Sequence, residues 1–393
     1  MQTVILAAGR GTRIHPLSAN TPKPMLPVAD KPLVEHTAAA AVEAGTDSLV
    51  FVVGYRGSEI EAHFGESYRG TPVHYVRQET LSGTADALRT AASILDGQFA
   101  VLNGDNLYEP AALQRLFDAK PSVAAVRVES PSAYGVLTTD GGRVIGIDEK
   151  PDDPATNLAN AGAYVFPGRA LEWLDVDETE RGEREITDVL ARVIDSFDVD
   201  FVELDRWLDV GRPWELLAAN EWKLRELERD VAGDVSETAE ISGDVVVEPG
   251  ATVSSGVVIE GPALVRTGAS VGPNAYLRGA TLVDHGVSVG HAVEIKNSVV
   301  MSDTNVNHLS YVGDSVLGRR VNLGAGTNVA NVRHDDEPVE VTVKGRRVST
   351  GRRKFGVVVG DDVKTGINTS FDPGVTLSPE TTTRPSEYVS RDR

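Results

Sequence analysis

The chain has 393 residues, long enough for two cores of ordinary size, and 41% of them are hydrophobic, which excludes a disordered polymer. A formal charge of −20 argues against nucleic acid as a partner. There is no cysteine, which excludes disulfides and thiolate chemistry and leaves oxygen or imidazole to hold any metal.

Residues 3–7, 48–53, 73–77, 99–102 and 123–128 read as short apolar strands separated by helix-like stretches. That alternation predicts an α/β domain of Rossmann-like type over residues 1–213. No apolar run reaches the length of a membrane span, and the chain enters a strand after three residues where a cleavable signal would need a longer leader. A cytoplasmic protein with no membrane partner is expected. Pro213 opens a charged segment with Leu216, Leu217, Leu224 and Leu227 at near-helical spacing, so residues 214–232 read as a linking helix.

After Gly233 the period changes to six. Ile241, Val247, Val253, Ile259, Val265, Val271, Leu277, Val283, Val289 and Ile295 follow without a break. With Ile, Val and Leu making up about a quarter of the chain, ten such positions in a row are a coincidence on the order of one in a million. The register slips by one to Val300, Val306 and Val312, and again to Leu317, Leu323 and Val329, with Gly, Pro, Asn and Asp crowding the positions between. This predicts a left-handed parallel β-helix over residues 233–393, with three hexapeptides to each triangular coil and the aliphatic side chain inside. Residues 333–355 break the register with a basic stretch and read as an inserted loop. The repeat resumes at Val359, Thr365, Phe371 and Leu377, and the polar tail from Pro379 is expected to fray.

The first strand runs directly into Leu6-Ala7-Ala8-Gly9-Arg10-Gly11-Thr12-Arg13, where two glycines let backbone N–H groups approach a triphosphate and Arg13 and Lys23 add positive charge. The third glycine of a dinucleotide fingerprint is missing, since Ile14 stands there, and so is a Walker loop. With the continuation Pro22-Lys23-Pro24-Met25-Leu26-Pro27, the stretch resembles the signature of the sugar-1-phosphate nucleotidyltransferases, and further motifs follow in order to about residue 215. The resemblance implies nucleotide contacts from Leu6, Ala8, Gly9, Gly11, Thr12, Gln78, Gly83 and Thr84. It implies sugar-phosphate contacts from Gly135, Glu149, Lys150 and Asn160, and Mg²⁺ ligation by Asp105 and Asp209. Arg13 and Lys23 are the implied catalytic cations. The implied reaction is attack by a sugar-1-phosphate on the α-phosphorus of UTP or dTTP, catalysed by positioning and charge neutralisation. Asp105 and Asp209 can also be read as turn caps, Gln78 as a surface glutamine and Glu149 as a structural ion-pair partner.

The stretch from Val293 to Asn331 resembles the acetyltransferase half of the bifunctional N-acetylglucosamine-1-phosphate uridyltransferases. On that resemblance Arg278 and Lys296 hold the sugar phosphate, Tyr311, Asn322 and Asn331 contact the amino sugar and its surroundings, Ala325 meets acetyl-CoA, and His308 is the general base. An imidazole suits removal of an ammonium proton as nitrogen attacks a thioester. Arg278 and Lys296 stand one full coil apart, so an unbroken register stacks them. Alone, His308 would read as a solvated corner residue; His285 and His291 read as structural. The basic cluster within 333–355 could meet the phosphates of CoA or be a solvated loop.

The resemblance implies an archaeal-type bifunctional enzyme that acetylates glucosamine-1-phosphate and transfers a uridylyl group to the product, as a homotrimer. The acidic balance, with only 9 Lys among 38 basic residues, fits a salt-loving source, or else an ordinary acidic enzyme. Two rivals stand beside this reading. One is a monofunctional glucose-1-phosphate uridylyl- or thymidylyltransferase with a structural β-helix. The other is a non-catalytic assembly subunit like the translation exchange-factor subunits that combine these folds.

Overall fold

Every position of the strand Ser48–Val53 is buried, and its neighbour Gln2–Ala7 carries no charge, as central strands covered on both faces require. A computed structural model, which describes residues 1–119, 121–179 and 182–393, sets these two strands in a ten-stranded sheet. Phe99–Asn103, Gln2–Ala7, Ser48–Val53 and Thr71–Arg77 lie side by side in that order, all parallel. Chain order therefore reverses between Gln2–Ala7 and Phe99–Asn103. In open α/β sheets that switch point opens a crevice at the carboxyl ends of the strands, where ligands bind.

Beyond Phe99–Asn103 the sheet continues through the antiparallel strand Leu158–Phe166 to Ser122–Arg127, Val199–Glu203, Arg143–Glu149 and Gly135–Asp140. Alternate side chains feed two cores, one on each face: Val4, Val50, Val52 and Val101 pack with Leu88 and Leu190, and Ile5, Leu49, Phe51 and Leu102 with Val34 and Leu113. A separate two-stranded ribbon pairs Asn106–Tyr108 with Trp207–Asp209. The chain divides into two units: Met1–Arg10, Pro22–Met25 and Pro32–Asp209 form one, and Gly11–Thr21, Leu26–Lys31 and Val210–Arg393 the other.

In the second unit the helix Pro213–Leu224 has proline in its first turn and buries Leu216, Leu217 and Leu224. It stops well short of the expected length, because beyond Leu224 only Leu227 is even half-buried, and Arg225, Glu226, Glu228 and Arg229 are exposed. Asn220 on this helix is fully buried with its amide satisfied at both ends, accepting from Ala29 N at 3.0 Å and donating to Ala280 O at 3.1 Å.

From Asp230 the chain winds as a parallel β-helix whose three faces are sheets of 8, 6 and 8 short strands. The aliphatic positions from Val247 to Leu377 line one continuous core. Val247, Val265 and Val283 stack in register, and Val300 and Leu317 follow on rungs one residue shorter, which accounts for the slips in the repeat. Thr365 takes one inward place with its hydroxyl bonded to Gly324 N at 2.8 Å and Thr327 Oγ1 at 3.1 Å.

Two further expectations are corrected. Residues 333–355 are not a loose loop: Glu340–Val343 and Arg346–Ser349 form an antiparallel hairpin. Its two-residue turn, Lys344-Gly345, has φ of 49° and 75°, the positive pair that closes a hairpin with the native twist. Val341 within it and Val339 and Phe355 on either side are buried. Nor does the tail fray, since Tyr388–Val389 pairs with Ser370–Phe371 and Val389 is fully buried, continuing the step of six from Leu377 through Thr383. Among the described residues no helix is long and apolar enough to cross a membrane.

Candidate active sites

The loop after the first strand is clamped from both sides at the switch point. Gly104 N donates to Leu6 O at 2.9 Å and Tyr55 N to Ala8 O at 3.3 Å. A Cβ at Gly104 would lie 2.8 Å from Leu6 O, and one at Gly54 2.7 Å from Ala8 O, so glycine is needed at both. Gly9 is different: a Cβ there meets nothing within 4 Å, which leaves its backbone open to approach. Gly11, at φ 62°, starts the short turn Thr12–Ile14, and these residues belong to the second unit. There Arg13 lies beside Gly211, whose added Cβ would stand 3.2 Å from Arg13 Nη2 and 3.3 Å from Glu215 Oε2.

In the first unit Lys23 is buried and its Nζ lies 2.5 Å from Asp105 Oδ2. Asp105 follows Gly104 at the end of Phe99–Asn103 and precedes Asn106, which is the ladder partner of Asp209. Both expected metal-binding aspartates thus stand at the same end of the ribbon. The ribbon is anchored by one carbonyl, Ala161 O, which accepts from Asn106 Nδ2 at 3.0 Å, Tyr108 Oη at 3.1 Å and Trp207 Nε1 at 2.9 Å. The sequence assigned no role to these three donors. Asn106 Oδ1 is buried without a hydrogen-bond partner. Two carboxylates with a spare amide oxygen are hard donors that fit a divalent cation of the Mg²⁺ kind, whose other positions are ordinarily filled by substrate phosphates and water. Among the described residues no group of three or more His, Asp or Glu is placed to hold a metal.

Gln78 continues the strand Thr71–Arg77, with its N–H on Val53 O at 2.8 Å. It lines a pocket with Arg10, Gly54, Tyr55, Arg77, Glu79 and Leu81. Gly83, at φ 112°, turns the chain into the helix Thr84–Ala91 so tightly that a Cβ would lie 2.3 Å from Arg184 O. Thr84 Oγ1 then accepts from Ile186 N at 2.9 Å. Asp86, in the first turn of that helix, accepts from Gln78; the sequence carried no sign of it.

Glu149 and Lys150 form an ion pair at 2.8 Å, with Lys150 held at φ 50° and its N–H on Tyr134 O at 3.0 Å. Gly135 leaves room for this pair, since a Cβ would stand 3.0 Å from Glu149 Oε2. Asn160 sits where the ladder with Ser122–Arg127 shifts register, accepting from Gly162 N at 3.0 Å and donating to Tyr164 Oη at 2.7 Å. Nearby, burial and then the charges of Glu185 and Glu149 push the Asp188 carboxyl above its usual range.

On the β-helix the register stacks Arg278 on Lys296, and Lys296 on Gly313, as the spacing required. Arg278 Nη2 meets Glu294 Oε1 at 2.6 Å, and Lys296 Nζ meets Asp314 Oδ2 at 2.6 Å. Asn331 Nδ2 bridges Asp314 Oδ2 at 2.6 Å and Tyr311 Oη at 3.2 Å. Burial, and then the neighbouring Glu294 and Asp314, push the Tyr311 phenol up. Four of the expected residues, Arg278, Lys296, Tyr311 and Asn331, therefore form one cluster with two carboxylates that had no assigned role.

The other three stand on the adjoining corner and face. His308 is exposed, stacked between His291, whose O accepts from Leu309 N at 3.0 Å, and Gly326, whose N donates to His308 O at 3.0 Å. Ala325 lies on the same corner one rung on. Asn322 is on a different sheet from Tyr311, paired with Asn305, and its Oδ1 accepts from Asn307 Nδ2 at 3.0 Å. None of the three hydrogen-bonds to the cluster among the described residues. His285 and His291 place Nδ1 against Thr267 O at 3.3 Å and Pro273 O at 3.0 Å, a structural use of each ring.

Comparison with known proteins covers both units. Residues 2–226 match the family model described as nucleotidyl transferase, and residues 259–382 the one described as the GMPPB C-terminal domain. The bifunctional protein GlmU of Methanocaldococcus jannaschii is 40% identical over 395 residues, covering 100% of this chain and 95% of that protein. A bifunctional sugar-1-phosphate nucleotidylyltransferase/acetyltransferase of Sulfurisphaera tokodaii is 35% identical over 398 residues, covering 100% and 98%. The UTP–glucose-1-phosphate uridylyltransferase AglF of Haloferax volcanii is 37% identical over 224 residues, 54% of this chain and 92% of that protein. Among solved structures, a UDP-glucose pyrophosphorylase complexed with UDP-glucose aligns with a TM-score of 0.52 and 26% identity, over 57% of this chain and 98% of its own. This chain belongs to the nucleotidyl transferase family and, along its whole length, to the bifunctional GlmU proteins.

Proposed function

We propose that the chain acetylates glucosamine-1-phosphate with acetyl-CoA and then joins the product to UTP, releasing pyrophosphate and UDP-N-acetylglucosamine. The observation that carries this reading is the cluster of Arg278, Lys296, Tyr311 and Asn331 on one face of the β-helix. It sets two stacked cations, a tyrosine and an amide on one face, a donor set that suits the phosphate and hydroxyls of a sugar phosphate.

At the first site the oxygen of the sugar-1-phosphate attacks the α-phosphorus as the α–β bridge breaks and pyrophosphate leaves. Asp105 and Asp209 would hold Mg²⁺, which supplies charge neutralisation at the phosphates. Lys23, paired with Asp105, is placed to exchange that carboxylate for a phosphate oxygen. Lys150, fixed in backbone and held by Glu149, orients the sugar phosphate. Arg13, beside Gly211 in the second unit, is the other cation the motif supplies. At the second site Arg278 and Lys296 take the phosphate of the amino sugar, and Tyr311, Asn322 and Asn331 its ring and surroundings. His308 accepts the ammonium proton, the freed amine attacks the thioester carbonyl, and as the C–S bond breaks the second N–H proton goes to the departing sulfur, releasing CoA thiol. Ala325 and the corner it shares with His308 border acetyl-CoA.

Leu309 and Ile367, 62% and 54% exposed on that corner, support a neighbouring subunit in a homotrimer that completes the acetyl-transfer site. The test is thiol release from acetyl-CoA with glucosamine-1-phosphate, followed with DTNB at high salt. Release by the wild type that falls at least about a hundredfold in His308→Ala is expected of a general base. Undiminished release from the variant overturns that role.

A second reading, a glucose-1-phosphate nucleotidyltransferase with a structural β-helix, is favoured by the likeness of the first unit to AglF. A matrix of nucleoside triphosphates against sugar-1-phosphates separates the two.

A further inference from the structure

Gln78 is held in one orientation. Its amide nitrogen donates to Asp86 Oδ2 at 2.9 Å and Gly83 O at 3.2 Å, and both partners can only accept. Turning the amide over would set its oxygen against a carboxylate and a carbonyl, breaking two hydrogen bonds and adding repulsion. Asp86 is buried, and its other oxygen takes Arg89 Nη2 at 2.6 Å. Burial pushes the Asp86 carboxyl up, but the hydrogen bonds from Arg89 and Gln78 outweigh it and hold the group below its usual range. Asp86 therefore stays an ionised, acceptor-only partner at neutral pH. Gln78 Oε1 makes no hydrogen bond among the described residues and is the polar atom left for a ligand, on a side chain that lines the pocket with Arg10, Tyr55 and Leu81.

We infer that Asp86 is a positioning residue that sets the base preference of the nucleotide site, by fixing Gln78 as an acceptor toward the base. Uracil and thymine carry an imide N–H between two carbonyls and satisfy that acceptor. Cytosine presents an unprotonated ring nitrogen at the same place, leaving two acceptors face to face. A site built around one fixed polar atom rejects the mismatched partner strongly because its own group is left unpaired. The inference rests on the reading of this unit as a nucleoside triphosphate site.

The experiment measures kcat/KM for UTP and for CTP by pyrophosphate release, with the full chain, its sugar-1-phosphate and Mg²⁺, in the wild type, Asp86→Asn and Arg89→Ala. A carboxamide at 86 can donate as well as accept, so both orientations of Gln78 become available. The ratio of UTP to CTP is expected to fall about tenfold in Asp86→Asn, the worth of one hydrogen bond to a charged group, and to change less in Arg89→Ala, which keeps the carboxylate. If both nucleotides lose efficiency equally and the ratio holds, Asp86 is merely structural and the inference is overturned. If Asp86→Asn melts below the assay temperature, Asp86→Ser removes the charge with less bulk and is read in the same way. A wild type that releases pyrophosphate from no nucleoside triphosphate overturns the nucleotide reading itself and the inference with it; turnover with an unchanged ratio in the variants overturns the inference alone.

Discussion

Asp314 shows how much of each site lies in residues that carry no chemistry of their own. It is buried, takes Lys296 Nζ and Asn331 Nδ2 each at 2.6 Å, and accepts from Asn297 Nδ2 at 3.0 Å. Replacing it with alanine strands a largely buried ammonium and two amides, so Asp314→Ala should lose about 3–5 kcal/mol in thermal or denaturant unfolding. Asp314→Asn, which keeps the shape and one acceptor, should lose less. Asp188 makes a prediction of opposite kind. Its pKa is raised in the folded chain by burial and by Glu185 and Glu149, so it binds a proton more tightly folded than unfolded. That stabilisation is complete below the ordinary carboxylate range and is lost as pH rises through the raised value. Asp188→Asn should therefore gain stability relative to the wild type as pH climbs from the carboxylate range to neutrality; a constant difference in Tm would contradict this. The motifs named Lys23, Asp105 and Glu149 from the sequence alone. An ion pair at Glu149 was legible too, but the pairing of Lys23 with Asp105 was not, because the two are brought together only by the order of strands in the sheet.

At the scale of elements the hexapeptide register was the most legible feature, because each inward position is an independent vote for the same period. Leu323, fully buried between rungs, should cost about 2–5 kcal/mol as alanine, measured by chemical denaturation. The hairpin of residues 333–355 was not legible because the alternation of Val339, Val341 and Val343 is short and runs into a dense basic stretch around Lys344-Gly345. Its cations are also put to structural use. Arg347 donates to Gly374 O at 3.2 Å, and Arg352 pairs with Glu221 on the helix Pro213–Leu224. The tail was misread for a related reason: Pro and Thr at the corners conceal a rung whose only apolar anchor is Val389.

At the scale of the molecule, one chain carries two units, each with cations gathered where an anionic phosphate is expected, in a protein whose net charge is −20. Each of these cations is held by a carboxylate, Lys23 by Asp105, Lys150 by Glu149, Arg278 by Glu294 and Lys296 by Asp314. On the proposed function both activities reside in this one chain and act in sequence. This is tested most directly by following UDP-N-acetylglucosamine chromatographically after incubation with glucosamine-1-phosphate, acetyl-CoA, UTP and Mg²⁺. The wild type should form it. His308→Ala should form it only when N-acetylglucosamine-1-phosphate is supplied, and Lys23→Ala should release thiol while forming no nucleotide sugar. A wild type that releases no thiol, or a Lys23→Ala chain that still makes the nucleotide sugar, would contradict the account.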